Sequence, residues 1–164
     1  MVESGGLSTF STEFSTPTIV NREVFMLKGR YQHNIDAKGR IFVPAKLRER
    51  LGDEFIAAAV LDRCICLYST EEWDKLLNGF AEMPLTKSRG LLRTLSANAT
   101  DVTVDAQGRI NLQKHLLEYG GLEKEALVIG AGKRAEIWNP DVYNEASGMM
   151  TPDELEKAFT ELGF

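Results

Sequence analysis

The chain has 164 residues, of which 43% are hydrophobic, and a formal net charge of −5 at pH 7. This length fits one domain or two small ones, and the net acidity would ordinarily argue against a nucleic-acid ligand. No stretch approaches the roughly 18 apolar residues of a membrane span, and the N-terminus lacks a basic segment followed by an apolar one. We therefore expect a soluble protein that is not exported.

Residues 1–25 are rich in Ser, Thr and Gly and show no sustained hydrophobic period, which predicts a disordered extension. The remaining charge is unevenly distributed. Residues 26–50 carry seven basic residues against Asp36 and Glu49, whereas residues 136–164 carry seven acids against Lys157. A basic lobe can bind phosphates while an acidic lobe meets solvent or another subunit, although both are also compatible with ordinary solvated faces.

Two nearly identical pentapeptides, DAKGR (36–40) and DAQGR (105–109), lie 69 positions apart. Their flanks align without gaps, IDAKGRIFVPAKL (35–47) over VDAQGRINLQKHL (104–116). A second block, CLYSTEEWDKL (66–76) over EIWNPDVYNEA (136–146), aligns at a spacing of 70, which indicates one residue gained, most simply near Gly120. The chain is therefore two related units of about 70 residues. Units this small need each other, or other chains, to complete a core, so we expect an oligomer.

The pattern of each unit predicts a strand, the Asp-Ala-x-Gly-Arg loop, a second strand and a short helix. In the first unit this helix begins with Pro44 and stops at Gly52. In the second unit Gln113 stands in place of the proline, so the helix start is less sharply specified. Two more strands follow in each unit, EFIAAAVLD with RCICLYS and EALVIGAG with RAEIWN.

A helix is predicted after the last strand of each unit. Ser69 and Glu72 have the spacing of a capping box for the first of these helices, and Asn139-Pro140 opens the second. A helix near residues 88–99 joins the units, and Thr151 begins an amphipathic C-terminal helix. The predicted organisation is a disordered extension (1–25), a first unit (26–80), a linker helix (81–100), a second unit (101–147) and a C-terminal helix (148–164).

The sequence shows none of the usual motifs of catalysis. Cys64 and Cys66 share one face of a predicted strand, a poor geometry for a disulfide, and only His33 and His115 could join them as zinc ligands. We expect buried, reduced thiols, no metal, no cofactor and no enzymatic activity. A small-ligand pocket between the halves fits less well than a core, because its aromatic candidates recur at apolar positions of both repeats (Trp73, Trp138, Tyr143).

The repeated loop has a structural and a functional interpretation. Its glycines permit a backbone conformation that other residues resist, and its aspartates can accept hydrogen bonds from turn amides. The loop-shaping residues are Asp36, Gly39, Asp105 and Gly108. These roles leave Arg40 and Arg109 unexplained. Each arginine either pairs with the aspartate four residues before it or directs its guanidinium outward to phosphates or guanine edges.

The segment MLKGRYQHNIDAKGRIFVPAKLRE (26–49), followed by DAQGRINL (105–112), resembles the bacterial MraZ family, whose members carry two tandem AbrB-like (SpoVT-AbrB) units. The similarity covers residues 26–164. Family members typically begin at the position of Met26 and have proline at the position of Gln113. The resemblance implies a mixed β/α, strand-dominated fold of two tandem swapped-hairpin units that form a pseudo-twofold double barrel, plus a C-terminal helix.

The resemblance also implies a function. Family members form ring-shaped homo-oligomers, associate with the nucleoid in the cytoplasm, and bind short direct repeats in double-stranded DNA upstream of a division and cell-wall gene cluster as transcriptional regulators. Arg40 and Arg109 would then contact DNA, with Lys38 beside Arg40. Since Gln107 lacks the charge of Lys38, the two halves should contribute unequally. The expected DNA-binding residues are Lys28, Arg30, Lys38, Arg40 and Arg109.

A different function stays open for the same fold. An AbrB-type module can act chiefly in protein interaction, as an antitoxin-like scaffold whose acidic C-terminal region binds another protein. The charge of residues 136–164 favours this alternative. Truncation after Asn139, with DNA binding and oligomer size measured separately, distinguishes the two functions.

Overall fold

The computed structural model describes residues 26–146 and 149–164, and the extension expected at residues 1–25 lies outside them. Within the described residues the chain forms eight strands and six helices. The strands are β1 (Arg30–Asn34), β2 (Arg40–Phe42), β3 (Glu54–Ala58), β4 (Ile65–Ser69), β5 (Ala99–Thr103), β6 (Arg109–Asn111), β7 (Glu125–Ala131) and β8 (Arg134–Trp138). The helices are α1 (Ala45–Leu51), α2 (Thr70–Ala81), α3 (Leu85–Ala97), α4 (Lys114–Gly120), α5 (Pro140–Ala146) and α6 (Pro152–Glu161). None of these helices combines the length and the apolar character needed to span a bilayer.

The two halves of the chain exchange their first strands. The main sheet is antiparallel, with the strand order β1-β7-β8-β4-β3-β5. In it, β1 of the first half pairs with β7 of the second, and β5 of the second half pairs with β3 of the first. The short strands β2 and β6 form a separate antiparallel pair. This exchange is the swapped-hairpin arrangement, and it explains why neither half could complete its own sheet.

A pseudo-twofold axis relates the halves. In the β2–β6 pair Ile41 lies opposite Ile110, its own counterpart in the repeat. In the main sheet Cys66 lies opposite Glu136, again its own counterpart. An axis between two equivalent strands must pass through such pairs. The predicted fold, two tandem strand-dominated units with pseudo-twofold symmetry and a C-terminal helix, is therefore confirmed.

The spacing of the repeat differs from the sequence alignment at one place. Ile56 pairs with Tyr68 in the first half, and Leu127 pairs with Trp138 in the second. Because Tyr68 and Trp138 are equivalent, Leu127 is the counterpart of Ile56, at a spacing of 71. Relative to the spacing of 69 at the repeated loops, the second half has thus gained two residues before β7 and lost one between β7 and β8. The net gain between the two aligned blocks is the one residue that was predicted, but its assignment to a single place near Gly120 was wrong, because changes in two turns partly cancel.

The main sheet carries an apolar core on each face. The first core packs α1, α4 and the β2–β6 pair against the sheet, around Ile41, Leu47, Leu67, Ile110 and Leu116. The second core lies beneath α2, α3 and α5 and contains Ile56, Tyr68, Trp73, Leu95, Leu127, Trp138 and Tyr143. The aromatic residues that could have lined a pocket between the halves are therefore core residues, as the repeat indicated.

Helices α1 and α4 begin at equivalent positions despite their different preceding residues. Pro44 precedes α1 with a φ of −52°, and Gln113 precedes α4 with a φ of −65° and a similar ψ. The chain thus adopts the proline-like backbone at Gln113 without the ring. At the start of α2, Ser69 Oγ accepts a hydrogen bond from the backbone N–H of Glu72, which supplies the predicted cap.

A polar cluster lies on the pseudo-twofold axis inside the second core. Cys64 and Cys66 are buried free thiols whose sulfur atoms lie 4.0 Å apart. Across the sheet, the carboxylate of Glu136 accepts hydrogen bonds from the Arg134 guanidinium and the Trp138 indole. The hydrogen bond to Cys66, reinforced by burial, raises the pKa of Cys64. These contacts give each polar group of the cluster a partner.

Candidate nucleic-acid interface

Asp36 holds the first loop together through both carboxylate oxygens. Oδ1 accepts hydrogen bonds from the backbone N–H groups of Lys38 and Arg40, each at 2.9 Å, and Oδ2 accepts one from Arg40 Nε at 2.6 Å. Gly39 donates its backbone N–H to the Asp36 carbonyl and has a φ of +78°, which glycine adopts readily. A Cβ at this position would lie 2.8 Å from the Leu112 carbonyl oxygen. Any side chain there would strain the loop.

The second loop repeats this geometry. Asp105 Oδ1 accepts the backbone N–H groups of Gln107 and Arg109 at 2.9 Å, and Oδ2 accepts Arg109 Nε at 3.0 Å. Gly108 has a φ of +83° and donates its N–H to the Asp105 carbonyl. Near-identical sequence has therefore produced a near-identical loop, including its ion pair.

The two interpretations of the loop arginines are compatible. Each guanidinium pairs with its own aspartate through Nε, as the structural interpretation required. Neither terminal nitrogen of Arg40 has a hydrogen-bond partner among the described residues, and its side chain is 31% exposed. An arginine held by its Nε edge can still offer its two terminal nitrogens as a fork to a phosphate or a guanine.

The pseudo-twofold axis places the two loops side by side. Phe42 lies opposite Arg109 in the β2–β6 pair, and Arg40 lies opposite Asn111. Arg109 Nη1 lies 3.9 Å from Asp36 Oδ2, the same oxygen that binds Arg40 Nε. Two guanidinium groups from different halves therefore share one carboxylate oxygen and form a single basic site.

The surroundings of the two arginines differ. The guanidinium carbon of Arg109 lies 6.0 Å from the centre of the Phe42 ring, and the Arg109 side chain is only 20% exposed. Lys38, at the tip of the first loop, is exposed, and its ammonium has no partner among the described residues. Its counterpart, Gln107, carries no charge. The first loop therefore presents more accessible positive charge than the second.

Two further residues at this site were not singled out from the sequence. The guanidinium of Arg48, on α1, packs against Gly108 of the other half, and its counterpart Leu117 packs against Gly39 in the same way. Phe42, which packs near the second arginine, is exposed. Sequence spacing could not identify these residues because each contact crosses between the halves. Arg48 adds a third guanidinium beside the loops.

Lys28 and Arg30 lie away from the loops. Lys28 precedes β1 and Arg30 begins it, whereas the first loop follows the other end of this strand. At about 3.3 Å per residue, β1 alone separates Arg30 from the loop by about 13 Å. The Arg30 guanidinium lies 5.3 Å from the centre of the Tyr143 ring. The structure thus groups Lys38, Arg40 and Arg109 and leaves Lys28 and Arg30 outside this group.

The loops also keep their aspartates ionised. The backbone N–H of Arg40 is the main cause that holds the pKa of Asp36 below its ordinary value, with help from the Arg40 side chain. The backbone N–H of Arg109 lowers the pKa of Asp105 in the same way. Both ion pairs are therefore present at neutral pH, and both guanidinium groups keep a fixed orientation.

Exchanged strands, a pseudo-twofold axis and paired arginine loops define the chain as a protein of two tandem AbrB-like units. A family model described as "MraZ protein, putative antitoxin-like" matches it twice, over residues 26–92 and 95–160. The chain belongs to the MraZ family. The two matched segments correspond to the two halves of the structure.

Three relatives share this similarity over most of their length, and each is named "Transcriptional regulator MraZ". The protein of Caldanaerobacter subterraneus subsp. tengcongensis is 43% identical over 124 residues, which cover 74% of this chain and 87% of the relative. That of Acetivibrio thermocellus is 40% identical over 142 residues, covering 84% and 99%. That of Alkaliphilus oremlandii is 40% identical over 143 residues, with the same coverage.

Proposed function

We propose that this chain is a sequence-specific DNA-binding transcriptional regulator. It binds short direct repeats upstream of a division and cell-wall gene cluster, as a ring-shaped homo-oligomer associated with the nucleoid in the cytoplasm. The observation that carries the proposal is the pair of arginine loops that share one carboxylate oxygen, Asp36 Oδ2. The names of the relatives support the regulatory role.

The loop geometry suits recognition of DNA because the guanidinium groups are oriented before binding. Arg40 is fixed by its Nε hydrogen bond to Asp36, so little side-chain freedom is lost when its terminal nitrogens bind. A fork of two nitrogens matches the O6 and N7 acceptors of guanine, and it also matches two phosphate oxygens. We assign Arg40 the base contact, and Arg109 and Lys38 contacts to the adjacent backbone.

Oligomerisation reconciles DNA binding with a net charge of −5. One protomer offers only a small basic site, made of Lys38, Arg40 and Arg109 with Arg48 beside them. A ring repeats that site, and sites tethered to one another gain effective concentration on a DNA that carries several repeats. Affinity should therefore rise steeply with the number of repeats and fall steeply with salt.

The direct test is fluorescence-anisotropy titration of the full chain with a duplex that carries several spaced G-rich repeats, compared with a scrambled duplex. We expect preference for the repeats, and a loss of about 5- to 150-fold in affinity for Arg40→Ala, the equivalent of 1–3 kcal/mol. Arg93→Ala is the matched control, because Arg93 is an exposed arginine of α3, on the other face of the sheet.

Arg40→Lys separates the two kinds of contact. Lysine keeps the charge but lacks the fork, so a phosphate contact would be largely restored and a base contact would not. We expect Arg40→Lys to lose preference for the repeats while keeping affinity for the scrambled duplex. An Arg40→Ala affinity within about twofold of the wild type would overturn the assignment of Arg40.

A second candidate function is protein partnership through the acidic C-terminal region. Helix α6 favours it, because this helix is acidic and leaves large apolar side chains exposed. Truncation after residue 150 removes α6 while it keeps both arginine loops. Loss of a protein complex with unchanged affinity for a single DNA repeat would support this function for the C-terminal region.

A further inference from the structure

The β2–β6 pair is a two-stranded ribbon with one face in the core and one face open. Ile41 and Ile110, at its centre, lie opposite each other and are 0% and 1% exposed. Successive side chains point to opposite faces of a strand, so the residues on either side of these isoleucines share the other face. This open face, which we name the ribbon face, is made of Arg40, Phe42, Arg109 and Asn111.

The ribbon face adds an apolar ring and an amide to the two arginines. Phe42 is 45% exposed. Asn111 is also exposed, and its side chain has no hydrogen-bond partner among the described residues. The core does not account for either side chain. A large apolar ring left open beside a basic site gains free energy when a ligand covers it.

The Phe42 ring is positioned before any ligand binds. The centre of the His33 ring lies 6.2 Å from its own centre, at a tilt of 41°. The guanidinium carbon of Arg109 lies 6.0 Å from the same ring. Because these neighbours restrict the ring, little side-chain freedom is lost when it contacts a ligand.

Phe42 and Asn111 occupy the same position of the two repeats, 69 residues apart. Each lies opposite the arginine of the other half, Phe42 opposite Arg109 and Asn111 opposite Arg40. The pseudo-twofold axis therefore divides the ribbon face into equivalent halves, one with a ring and one with an amide. A fully symmetric face would bind a DNA site equally in both directions. This difference lets the protein distinguish the two directions, as direct repeats require.

The ribbon matches the DNA major groove in size and in spacing. That groove admits a two-stranded antiparallel ribbon. Arg40 and Phe42 are two positions apart on β2, about 6.6 Å at about 3.3 Å per residue. Stacked base pairs are about 3.4 Å apart. The bases that these two side chains contact should therefore be about two base pairs apart.

We propose that the ribbon face enters the major groove, where Phe42 contacts the C5 methyl group of a thymine and Asn111 binds an adenine. Phenylalanine provides an apolar contact for the thymine methyl group. The amide of asparagine accepts a hydrogen bond from the adenine N6 amino group and donates one to N7. These contacts rest on the proposed function and deepen it, because they name the bases recognised beside the guanine of Arg40.

Selection from random-sequence duplexes identifies the bases that the full chain prefers. Bound duplexes are separated and sequenced for the wild type, Phe42→Ala and Asn111→Ala. The wild type should enrich a guanine with a thymine about two base pairs away, together with an adenine. Phe42→Ala should lose only the thymine preference, and Asn111→Ala only the adenine preference. Both variants should keep the guanine.

Two substitutions on the other face of the sheet are matched controls. Leu85→Ala removes an exposed apolar side chain at the start of α3, and Asn144→Ala removes an exposed amide on α5. Both should enrich the wild-type sequence. Melting temperatures of all four variants show which of them keep the stability of the wild type.

Modified bases test each contact through single atoms or groups, by fluorescence-anisotropy titration of the preferred duplex. Deoxyuridine in place of the thymine removes only the C5 methyl group. It should weaken the wild type about fourfold, the equivalent of about 0.8 kcal/mol for one buried methylene-sized group, and leave Phe42→Ala unchanged. 7-Deazaadenine in place of the adenine removes N7. It should weaken the wild type about two- to tenfold, as for half of a bidentate contact, and leave Asn111→Ala unchanged.

The modified bases also decide the matter without any variant. A wild type that binds the deoxyuridine duplex as tightly as the thymine duplex would overturn the contact of Phe42, and so would an equal weakening in Phe42→Ala. The same two results with 7-deazaadenine would overturn the contact of Asn111. A wild type that prefers a sequence without thymine or adenine would overturn both contacts while the proposed function stands. A wild type that enriches no sequence at all would instead overturn the proposed function.

Discussion

Arg109 of the second loop reaches Asp36 of the first, with 3.9 Å between Nη1 and Oδ2. This contact joins two segments that are 69 residues apart in the repeat, and within the described residues no mirror-image ion pair joins Arg40 to Asp105. The pseudo-twofold symmetry of the fold is therefore broken at its basic site. The break leaves the terminal nitrogens of Arg40 available to a ligand, whereas the Arg109 guanidinium contacts both Asp105 and Asp36.

Stability should fall in acid through the two loop aspartates. Both pKa values are lowered in the folded protein, chiefly by backbone N–H groups, so the folded state binds fewer protons than the unfolded state near pH 4. The stabilisation is therefore complete above the unfolded pKa of about 3.9 and is lost as the pH falls through the lower folded value. Melting temperatures between pH 5 and 2.5 measure this loss.

Asp36→Asn/Asp105→Asn is the variant that checks the cause. It should be less stable than the wild type at neutral pH, and the difference should shrink as the pH falls below about 4. A difference that stays constant down to pH 2.5 would show that the two carboxylates are not the source of the acid sensitivity.

Gly39→Ala should destabilise the protein and loosen the basic site. The φ of +78° strains any residue with a Cβ, and the added carbon would lie 2.8 Å from a backbone oxygen of Leu112, which cannot move without displacing the strand end. We expect a loss of about 2 kcal/mol in unfolding free energy from urea titration, the sum of strain and displacement.

Gly90→Ala is a control substitution for which we expect the opposite effect on stability. Gly90 lies inside α3, and nothing is within 4 Å of the place that its Cβ would take. Alanine should therefore stabilise the helix by about 0.5–1 kcal/mol. If Gly39→Ala stabilises the protein as Gly90→Ala is expected to, the role of backbone geometry at Gly39 is contradicted.

Gln113→Pro should stabilise the second half. The backbone at Gln113 already has a φ of −65°, close to the −52° of Pro44 at the equivalent position of the first half. Proline would restrict the unfolded chain without strain in the folded one, a gain of about 0.4–1 kcal/mol. A rise in melting temperature at fixed protein concentration is the expected result, and a fall would mean that the N–H of Gln113 is needed.

The sequence predicted the parts of the fold that local patterns determine. The loops, the helix stop at Gly52 and the start of α2 at Ser69 depend on residues close together in the chain, and periodicity and capping residues indicate them directly. The internal repeat added the pseudo-twofold relation. Resemblance to a family, rather than periodicity, supplied the exchange of strands between the halves, because pairings such as β1 with β7 leave no local signal.

The sequence predicted which residues form the basic site but not how they are arranged. The sequence indicated Arg40 and Arg109, yet it could not show that they share Asp36, since this contact depends on how two halves meet. It grouped Lys28 and Arg30 with the loops because they are near in sequence, whereas an extended strand carries them away. Net charge over a segment is therefore a poor guide to which cations lie together on a sheet.

Arg134→Met should be one of the more destabilising substitutions in the second core. Arg134 is the only cation bonded to the Glu136 carboxylate in the described structure, and that carboxylate is 11% exposed beside two buried thiols. Removing one partner of a buried pair typically costs 3–5 kcal/mol, and the partial exposure of Arg134 reduces our expectation to about 2–3 kcal/mol. Urea unfolding at fixed protein concentration measures the loss.

Arg134→Met/Glu136→Gln should recover much of the lost stability, because the charge is gone while the amide oxygen can still accept the Trp138 indole N–H. A double variant that is less stable than Arg134→Met alone would show that the cost came from packing rather than from an unpaired carboxylate.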